Sequence, residues 1–277
     1  MTKIAPKVLS TFRNETSKVE GWLEDLDCLV IHALLSFQSN NFIKGDLLEI
    51  GVYQGKSAIL LGMHLEKSEK LHVCDIFDNH TDEANQHEIV TSYSQFSLDL
   101  FLKNYSNALN SSPEVYSCVS SELSKLLPDI RFRLIHIDGS HLYEHVSKDL
   151  SLAASVVYEQ QGIIIVDDFR AEHAIGVSNA MWEMIFNHNL RPIIFTRSKA
   201  YLVPVGSILT LEVTEQILKD YLVKNELVYL KDCVALRAVE LNNPLPKSFR
   251  DALKLFMPPL MIEVYRAVRR PRLNNSN

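Results

Sequence analysis

Hydrophobic and polar positions along the chain form two alternating patterns. Short apolar runs with little internal alternation are separated by longer segments in which apolar residues recur at helical spacing. Uninterrupted apolar runs are typical of strands that are covered on both faces. Their alternation with helices predicts an α/β fold with a doubly wound, Rossmann-like, mostly parallel sheet. The predicted strands are DLLEIG, LHVCDIF, EVYSCV, FRLIHID and GIIIVDD, and the predicted helices are KSAILLGMHLEK, SQFSLDLFLKNYSNAL, SSELSKLLP, LYEHVSKDLSLAASVV and GVSNAMWEMIFNH.

A further pair of strands is predicted in the segment RPIIFTRSKAYLVPV. Only the short connection TRSK separates its two apolar runs. Parallel strands need a much longer crossover, whereas antiparallel strands can be joined by a tight turn. The pair is therefore predicted to be a C-terminal hairpin, with its antiparallel strand at one edge of the sheet.

The same patterns divide the chain into three parts. Residues 1–40 are predicted to form a helical segment, because apolar residues recur at helical spacing from about Lys18 to Phe37. Residues 41–205 contain the predicted sheet, and residues 206–277 form an appendage of unknown role. The appendage has a candidate helix in TEQILKDYLVKN, a strand or strand pair in LVYLKDCVALRAVEL, and a last helix interrupted at Pro258 and Pro259.

The end of that last helix, MIEVYRAVRRPRL, is apolar and then basic. A packing helix with a solvated basic end is the favoured interpretation. Contact with an anionic membrane surface, a contact in a homo-oligomer and a lid over a substrate are left open.

Composition restricts the class of protein. The chain has 277 residues, of which 47% are hydrophobic and 22% are charged, as expected for a soluble globular protein. Its net charge of -6 argues against nucleic-acid binding, which needs a basic surface. Four widely separated cysteines without a CxxC motif indicate reduced thiols. With no secretory signal and no run long enough to span a bilayer, these features predict a cytoplasmic location without membrane insertion.

Residues around the end of the first strand indicate a cofactor. Gly51 and Gly55 suit a tight turn at the start of a helix. Glu49 occupies the position of the first glycine in the dinucleotide fingerprint, where a carboxylate would repel a pyrophosphate but suit a cationic group. Asp75 ends the next strand, where an acidic side chain typically binds ribose hydroxyls. A cationic cofactor with a ribose and no pyrophosphate indicates S-adenosylmethionine.

Three further residues are assigned to the cofactor pocket. Ser57 follows Gly55 at the predicted start of the helix. Ser120 and Glu122 follow the third strand and are candidates for the adenine side. The alternative for these two residues, a cap on the helix that begins at SSEL, remains open.

The fourth and fifth strands end in carboxylates. Asp138 follows RLIHI, and Asp167 and Asp168 follow GIIIV, so all three are predicted at the same edge of the sheet. Crowded carboxylates raise one another's pKa, and a bound divalent cation removes the conflict. Oxygen ligands favour Mg²⁺, Mn²⁺ or Ca²⁺. The alternative is that Asp167 or Asp168 caps the following turn.

His141 lies three residues after Asp138 and is a candidate general base for a substrate hydroxyl. By position alone it could equally be a polar residue at a helix start. His141 and His145 have the i,i+4 spacing of zinc proteases, but the order H-E-x-x-H is not met because Glu144 directly precedes the second histidine. His136, in the middle of the strand, is interpreted as a core histidine.

Four segments together resemble the class I S-adenosylmethionine-dependent methyltransferases: LLEIGVYQGKSA, HVCDIFD, LIHIDGSHLYEHVSKDL and GIIIVDDF. Within that class they are similar to the metal-dependent O-methyltransferases that act on sugars of macrolide and aminocoumarin antibiotics. Relatives in that grouping are often labelled cephalosporin hydroxylases. The resemblance covers roughly Trp22 to Val205.

The resemblance implies a role for each candidate residue. Asp138, Asp167 and Asp168 would hold Mg²⁺, with His141 as the base. Some relatives carry another acidic residue in place of Ser140-His141 and use it as the base, so this chain matches the histidine subset. On the cofactor side, Glu49, Gly51 and Gly55 would shape the methionine pocket and Asp75 would bind the ribose.

The implied activity is Mg²⁺-dependent transfer of a methyl group to a hydroxyl of a small-molecule acceptor, a sugar or a glycosylated natural product or polysaccharide. Two other classes stay open: a metal-dependent hydroxylase or hydrolase on the same fold, and a non-catalytic binding module. Acceptor selectivity is expected to reside in residues 79–96, in residues 169–175 and in the termini.

Overall fold

The computed structural model describes residues 4–77, 97–127, 129–187 and 190–241, with the side chains of residues 4–6, 240 and 241 excepted. Two predictions lie outside the described residues: the acceptor segment 79–96 and the interrupted helix with its basic end. Among the described residues, no helix is both long and apolar enough to cross a bilayer.

A single sheet of nine strands forms the centre of the described structure, in the order β3-β2-β1-β4-β5-β7-β6-β9-β8. Strands β1 to β5 pair in parallel, and β7 and β8 run against the other strands. The strands are β1 (Asp46–Ile50), β2 (Leu71–Asp75), β3 (Glu114–Ser117), β4 (Phe132–Ile137), β5 (Ile163–Val166), β6 (Leu190–Phe195), β7 (Ala200–Pro204), β8 (Val223–Tyr229) and β9 (Val234–Leu241).

Helices connect the parallel strands, as the sequence predicts. The described helices are α1 (Ile4–Glu15), α2 (Asp25–Asn40), α3 (Lys56–Gly62), α4 (Leu98–Leu109), α5 (Leu123–Leu126), α6 (Tyr143–Val156), α7 (Ile175–Asn187) and α8 (Leu211–Asp220), with a short 3-10 helix at Ser120–Glu122. All residues of β4 and β5 are buried, which agrees with strands covered on both faces. The predicted α/β, doubly wound, mostly parallel fold is confirmed.

The predicted hairpin is present, but its position in the sheet differs from the prediction. Strands β6 and β7 pair antiparallel, and β7 is inserted between β5 and β6. The sheet then continues, because β9 pairs with β6 and β8 pairs with β9. The antiparallel strand β7 is therefore an interior strand, not an edge strand. Strands β8 and β9 lie beyond residue 205, and the division of the chain at residue 206 stays a prediction.

Strands β1 and β4 are neighbours at the centre, and the chain proceeds outward from them in opposite directions. Such a reversal opens a crevice at the carboxyl ends of the two strands, where ligands of doubly wound sheets bind. The two strand ends are in close contact, since the amide of Asp138 donates to the carbonyl of Ile50 over 2.8 Å. A Cβ added to Gly51 would lie 2.1 Å from the carbonyl oxygen of Asp138. Glycine at position 51 thus permits the crevice to close at its base.

Candidate active site at the carboxyl ends of the strands

The loop after β1 has the left-handed turns that its glycines predict. Gly51 and Gly55 have φ angles of 83° and 94°. The Asp75 carboxylate anchors this loop, accepting hydrogen bonds from the amides of Val52 and Tyr53 over 2.7 and 3.2 Å. Burial raises the pKa of Asp75, although these amide donors act in the opposite direction. Asp75 therefore holds the backbone of the loop after β1, which borders the predicted cofactor pocket.

Glu49, the last residue but one of β1, is fully buried. Its Oε1 atom lies 2.7 Å from Nδ1 of His136 on β4. Its Oε2 atom is also buried and has no hydrogen-bond partner among the described residues. An unpaired carboxylate oxygen in a buried position is costly, so it fits a site that a positively charged ligand group completes. This carboxylate oxygen, an acceptor with negative charge, fits the ammonium or sulfonium of S-adenosylmethionine.

Ser57 is more buried than Ser120. Ser57 is largely buried in the first turn of α3. The Ser120 hydroxyl donates to Oδ1 of Asp149 on α6, while Val119, whose side chain makes no capping bond, holds the cap position of the short 3-10 helix. Glu122 is exposed. The capping alternative therefore does not describe Ser120, and the adenine-side roles of Ser120 and Glu122 stay predictions.

Asp149 was not singled out from the sequence. It is almost completely buried, and burial raises its pKa to about 6, with the hydrogen bond from Ser120 and the charge of Lys148 acting against the shift. The hydrogen bond between Ser120 and Asp149 links the short 3-10 helix to α6.

At the ends of β4 and β5, Asp138 and Asp167 lie close together, and the ligand atoms of both residues and of His136 all lie within 4.8 Å of one another. A lysine also enters this cluster. The ammonium of Lys199 donates to Oδ2 of Asp167 and lies 3.2 Å from Nε2 of His136. The second oxygen of Asp167, Oδ1, accepts the amide of Asp168 over 2.8 Å.

The lysine explains the opposite pKa shifts of the two carboxyl groups. The pKa of Asp138 is raised well above its ordinary value by burial and by the negative charge of Asp167. Burial also acts to raise the pKa of Asp167, but the positive charge and hydrogen bond of Lys199 outweigh it and lower the pKa to about 2. Burial disfavours the charged form of Lys199, yet the surrounding carboxylates raise its pKa above the ordinary value.

Asp168 is directed away from this cluster. Its backbone is left-handed, with φ of 54°. Its Oδ2 atom lies 3.2 Å from Nε2 of His141 and 4.0 Å from Nε2 of His173. The two imidazole rings are nearly perpendicular, with centroids 5.1 Å apart. Asp168 and His141 thus form a carboxylate-histidine pair, which His173 flanks.

These contacts test the predicted Mg²⁺ site. Among the described residues, Asp138, Asp167 and Asp168 do not form one cluster of ligand atoms. Lys199 and a backbone amide engage both oxygens of Asp167, and Asp168 is directed at two histidines. As placed, these side chains do not fit a three-carboxylate magnesium site.

A pocket joins the ends of β4 and β5 to the first turns of α6 and α7. The candidate base His141 lies on its wall with Asp138 and Asp167. Ser140 also lines it, and its hydroxyl oxygen accepts the amide of Leu142 and lies 3.0 Å from Nδ1 of His145. His145 therefore supports the turn through Ser140. The lining residues are Ile137, Asp138, Gly139, Ser140, His141, Val146, Val166, Asp167 and Val177.

The connection between α1 and α2 lies against the cofactor loop, which the sequence did not indicate. The side chains of Glu20 and Gln54 bond to each other over 3.0 Å, and Tyr53 donates its hydroxyl to Glu20 over 2.9 Å. Lys56 donates to the carbonyl of Gly21 over 2.7 Å. These contacts attach the N-terminal segment to the loop after β1.

The sheet order and the glycine loop after β1 form the doubly wound arrangement in which ligands bind at the carboxyl ends of the strands, and Glu49 and Asp75 lie at that end. Residues 48–169 match the model of the family described as a methyltransferase domain. The match confirms the resemblance drawn from the motifs and the prediction of a methyltransferase.

Two solved structures share the fold. The O-methyltransferase NovP is 20% identical over 64% of this chain and 80% of its own, with a TM-score of 0.51. Cofactor-bound Rv0187 from MTB is 14% identical over 72% of this chain and 88% of its own, with a TM-score of 0.50. A comparison with curated proteins gives no significant match.

Proposed function

We propose that this protein is an S-adenosylmethionine-dependent O-methyltransferase whose acceptor is a hydroxyl of a small molecule, most specifically a sugar. The observation that carries the proposal is the pair of His141 and Asp168, which follows β4 and β5 in the same sheet whose strand β1 carries the buried carboxylate of Glu49. Oxygen as the acceptor atom is also supported by NovP, which is described as an O-methyltransferase.

The cofactor side would hold S-adenosylmethionine through Glu49, Gly51, Gly55, Ser57 and Asp75, with Ser120 and Glu122 towards the adenine. When bound there, S-adenosylmethionine supplies an electrophilic methyl group. The negative charge of Glu49 favours a cationic ligand, and the left-handed glycines keep side chains out of the space beside the loop.

On the acceptor side, His141 takes the hydroxyl proton. Its Nε2 atom lies 3.2 Å from Oδ2 of Asp168, so this carboxylate stabilises the imidazolium that forms when the ring takes the proton. Asp138 lines the same pocket and is proposed to orient the acceptor by accepting a hydrogen bond from a neighbouring hydroxyl. A sugar suits this arrangement because it offers adjacent hydroxyls.

The sequence also predicts Mg²⁺ on Asp138, Asp167 and Asp168. The contacts of Lys199 and Asp168 argue against that ligand set, and no step of the proposal depends on the ion. A cytoplasmic location is proposed as well, supported by the four free thiols. Two further predictions remain: that the protein does not bind nucleic acid, and that it assembles as a homo-oligomer.

The proposal is tested first by binding. Saturating S-adenosylhomocysteine should raise the melting temperature, because a ligand that binds only the folded state stabilises it. Methyl transfer from labelled S-adenosylmethionine to a panel of nucleotide sugars and glycosylated small molecules then tests the acceptor class. No thermal shift at saturating ligand would contradict the cofactor assignment, and turnover of a sugar substrate without S-adenosylmethionine would favour a hydrolase or hydroxylase.

A further inference from the structure

We propose that Lys199 is the resident cation of this site: its ammonium takes the place between Asp138 and Asp167 that the sequence assigns to a divalent metal ion. The structural part of this inference stands on the contacts of Lys199 alone. Its functional consequence, methyl transfer without a metal, rests on the proposed function.

The placement of Lys199 follows from the inserted hairpin. Strands β5 and β7 pair antiparallel, with Val166 opposite Ala200. The next residue of β5 is Asp167 and the preceding residue of β7 is Lys199, so the register brings these two residues together at the strand ends. A parallel strand beside β5 would place its own carboxyl end there instead.

The turn before β7 fixes the backbone of Lys199. Its amide donates to Oγ1 of Thr196 over 2.9 Å, and its carbonyl accepts the amide of Thr196 over 2.9 Å. The side chain is only 1% exposed, so its stem is packed and its ammonium cannot leave for solvent without a change of rotamer. A lysine is rarely buried to this extent unless it is paired.

The acceptors around the ammonium are those that a metal ion would need. Nζ donates to Asp167 and lies 3.2 Å from Nε2 of His136, whose other ring nitrogen contacts Glu49. Asp138 belongs to the same cluster of ligand atoms. A divalent cation bound to Asp167 would face the ammonium across a few ångströms of buried space, where like charges repel strongly.

Displacement of the ammonium by a metal is also unfavourable. Lys199 would lose the carboxylate that it contacts while remaining buried, and breaking a buried ion pair is strongly destabilising. Lys199 therefore neutralises Asp167 permanently, without the exchange that a bound ion undergoes. We expect the site to be assembled as soon as the sheet is folded.

Mn²⁺ is the probe for the test, because its electron paramagnetic resonance signal distinguishes free from bound ion and it prefers the same oxygen ligands as Mg²⁺. The wild-type protein should show no saturable binding. The variant Lys199→Met should gain saturable binding that the wild type lacks, since it removes the ammonium that contacts Asp167. Lys199→Arg keeps the charge and should not bind.

Two further variants make the result specific. The double variant Lys199→Met with Asp167→Asn removes both charges and should not bind Mn²⁺, while its fold should tolerate the change better than that of Lys199→Met alone. Lys219→Met removes an exposed lysine that pairs with Glu215 on α8, and it should behave like the wild type.

Saturable binding of Mn²⁺ to the wild type that Asp138→Asn abolishes would overturn the inference. Saturable binding that only His173→Gln abolishes would lie at the cluster of His141, Asp168 and His173, and it would overturn the functional consequence, methyl transfer without a metal. Failure of a folded Lys199→Met variant to bind Mn²⁺ would also overturn the inference, because the ammonium would then not occupy a position that a metal ion can take. The wild-type titration decides the matter if that variant does not fold. Methyl transfer should survive treatment with EDTA, and absence of any methyl transfer would count against the proposed function, not against the metal titration.

Discussion

The Nε2 atom of His141 lies 3.2 Å from Oδ2 of Asp168, so the segment after β4 and the segment after β5 contribute one carboxylate-histidine pair. We expect His141→Gln to lower kcat by about 10²–10⁴-fold, the usual range for loss of a general base. The dissociation constant of S-adenosylhomocysteine, measured by calorimetry, should not change. His173→Gln is the control, because His173 is more exposed and farther from Asp168. An equal loss in both variants would contradict the assignment of the base.

Asp168→Asn tests the second member of the pair. Asparagine tolerates the left-handed backbone at position 168, with φ of 54°, so the variant should fold. It cannot stabilise an imidazolium by charge, and we expect kcat to fall by about 10–100-fold. The double variant with His141→Gln should lose little more than His141→Gln alone, because the two residues act as a unit. Additive losses in the double-mutant cycle would show that Asp168 acts independently of His141.

Glu49 provides a prediction about cofactor affinity. Its Oε2 atom is buried without a partner among the described residues, and Glu49→Gln keeps an acceptor for His136 while removing the charge. A hydrogen bond to a charged group contributes about 1.5–3 kcal/mol, so the dissociation constant of S-adenosylhomocysteine should rise by about 10–100-fold. Glu114→Gln changes an exposed carboxylate that pairs with Lys70 at the start of β3 and should leave the affinity unchanged. Unaltered affinity in Glu49→Gln would remove Glu49 from the cofactor site.

The alternation of strands and helices was sufficient to predict the sheet as far as β5, because β1, β2, β4 and β5 are almost entirely buried and are predicted from their apolar runs. The hairpin was also predicted, since its connection is too short for a crossover. Its insertion next to β5 was not predicted. That position depends on the pairing of β7 with β5 and of β6 with β9. The sequences of these strands do not indicate which strand each one pairs with.

The sequence predicted those candidate residues whose position follows directly from the end of a strand. Asp138, Asp167 and Asp168 do follow β4 and β5, but strand position alone does not fix where a side chain is directed. The left-handed backbone of Asp168 directs it at His141. Lys199 carries no sequence signal, because a lysine in a turn is usually exposed, and only the β5–β7 register brings it to Asp167.

Asp149 provides a prediction about pH. Its pKa is raised by burial to about 6, so its contribution to stability is fully present when it is protonated at low pH and is lost as pH rises through about 6. Asp149→Asn keeps an acceptor for Ser120 and cannot ionise. We expect it to raise the free energy of unfolding at pH 8 by about 1–3 kcal/mol and to have little effect at pH 4.

The measurement for Asp149→Asn is urea denaturation at both pH values. Asp129→Asn, at an exposed position, is the control and should show no difference between them. A stabilisation that is the same at pH 4 and pH 8 would mean that ionisation of Asp149 is not its origin.

Gly51 and Gly206 form a matched pair that isolates the contact at the base of the crevice. Both have left-handed backbones, with φ of 83° and 91°, but an added Cβ meets the carbonyl oxygen of Asp138 at 2.1 Å for Gly51 and nothing within 4 Å for Gly206. Gly206→Ala should lower the free energy of unfolding by about 1–2 kcal/mol, the backbone cost alone. Gly51→Ala should lower it by about 4 kcal/mol or more, because the strand ends of β1 and β4 must separate. Urea denaturation measures both losses. Equal losses would show that the approach of Gly51 to Asp138 costs nothing to relieve, and that the crevice does not depend on glycine at position 51.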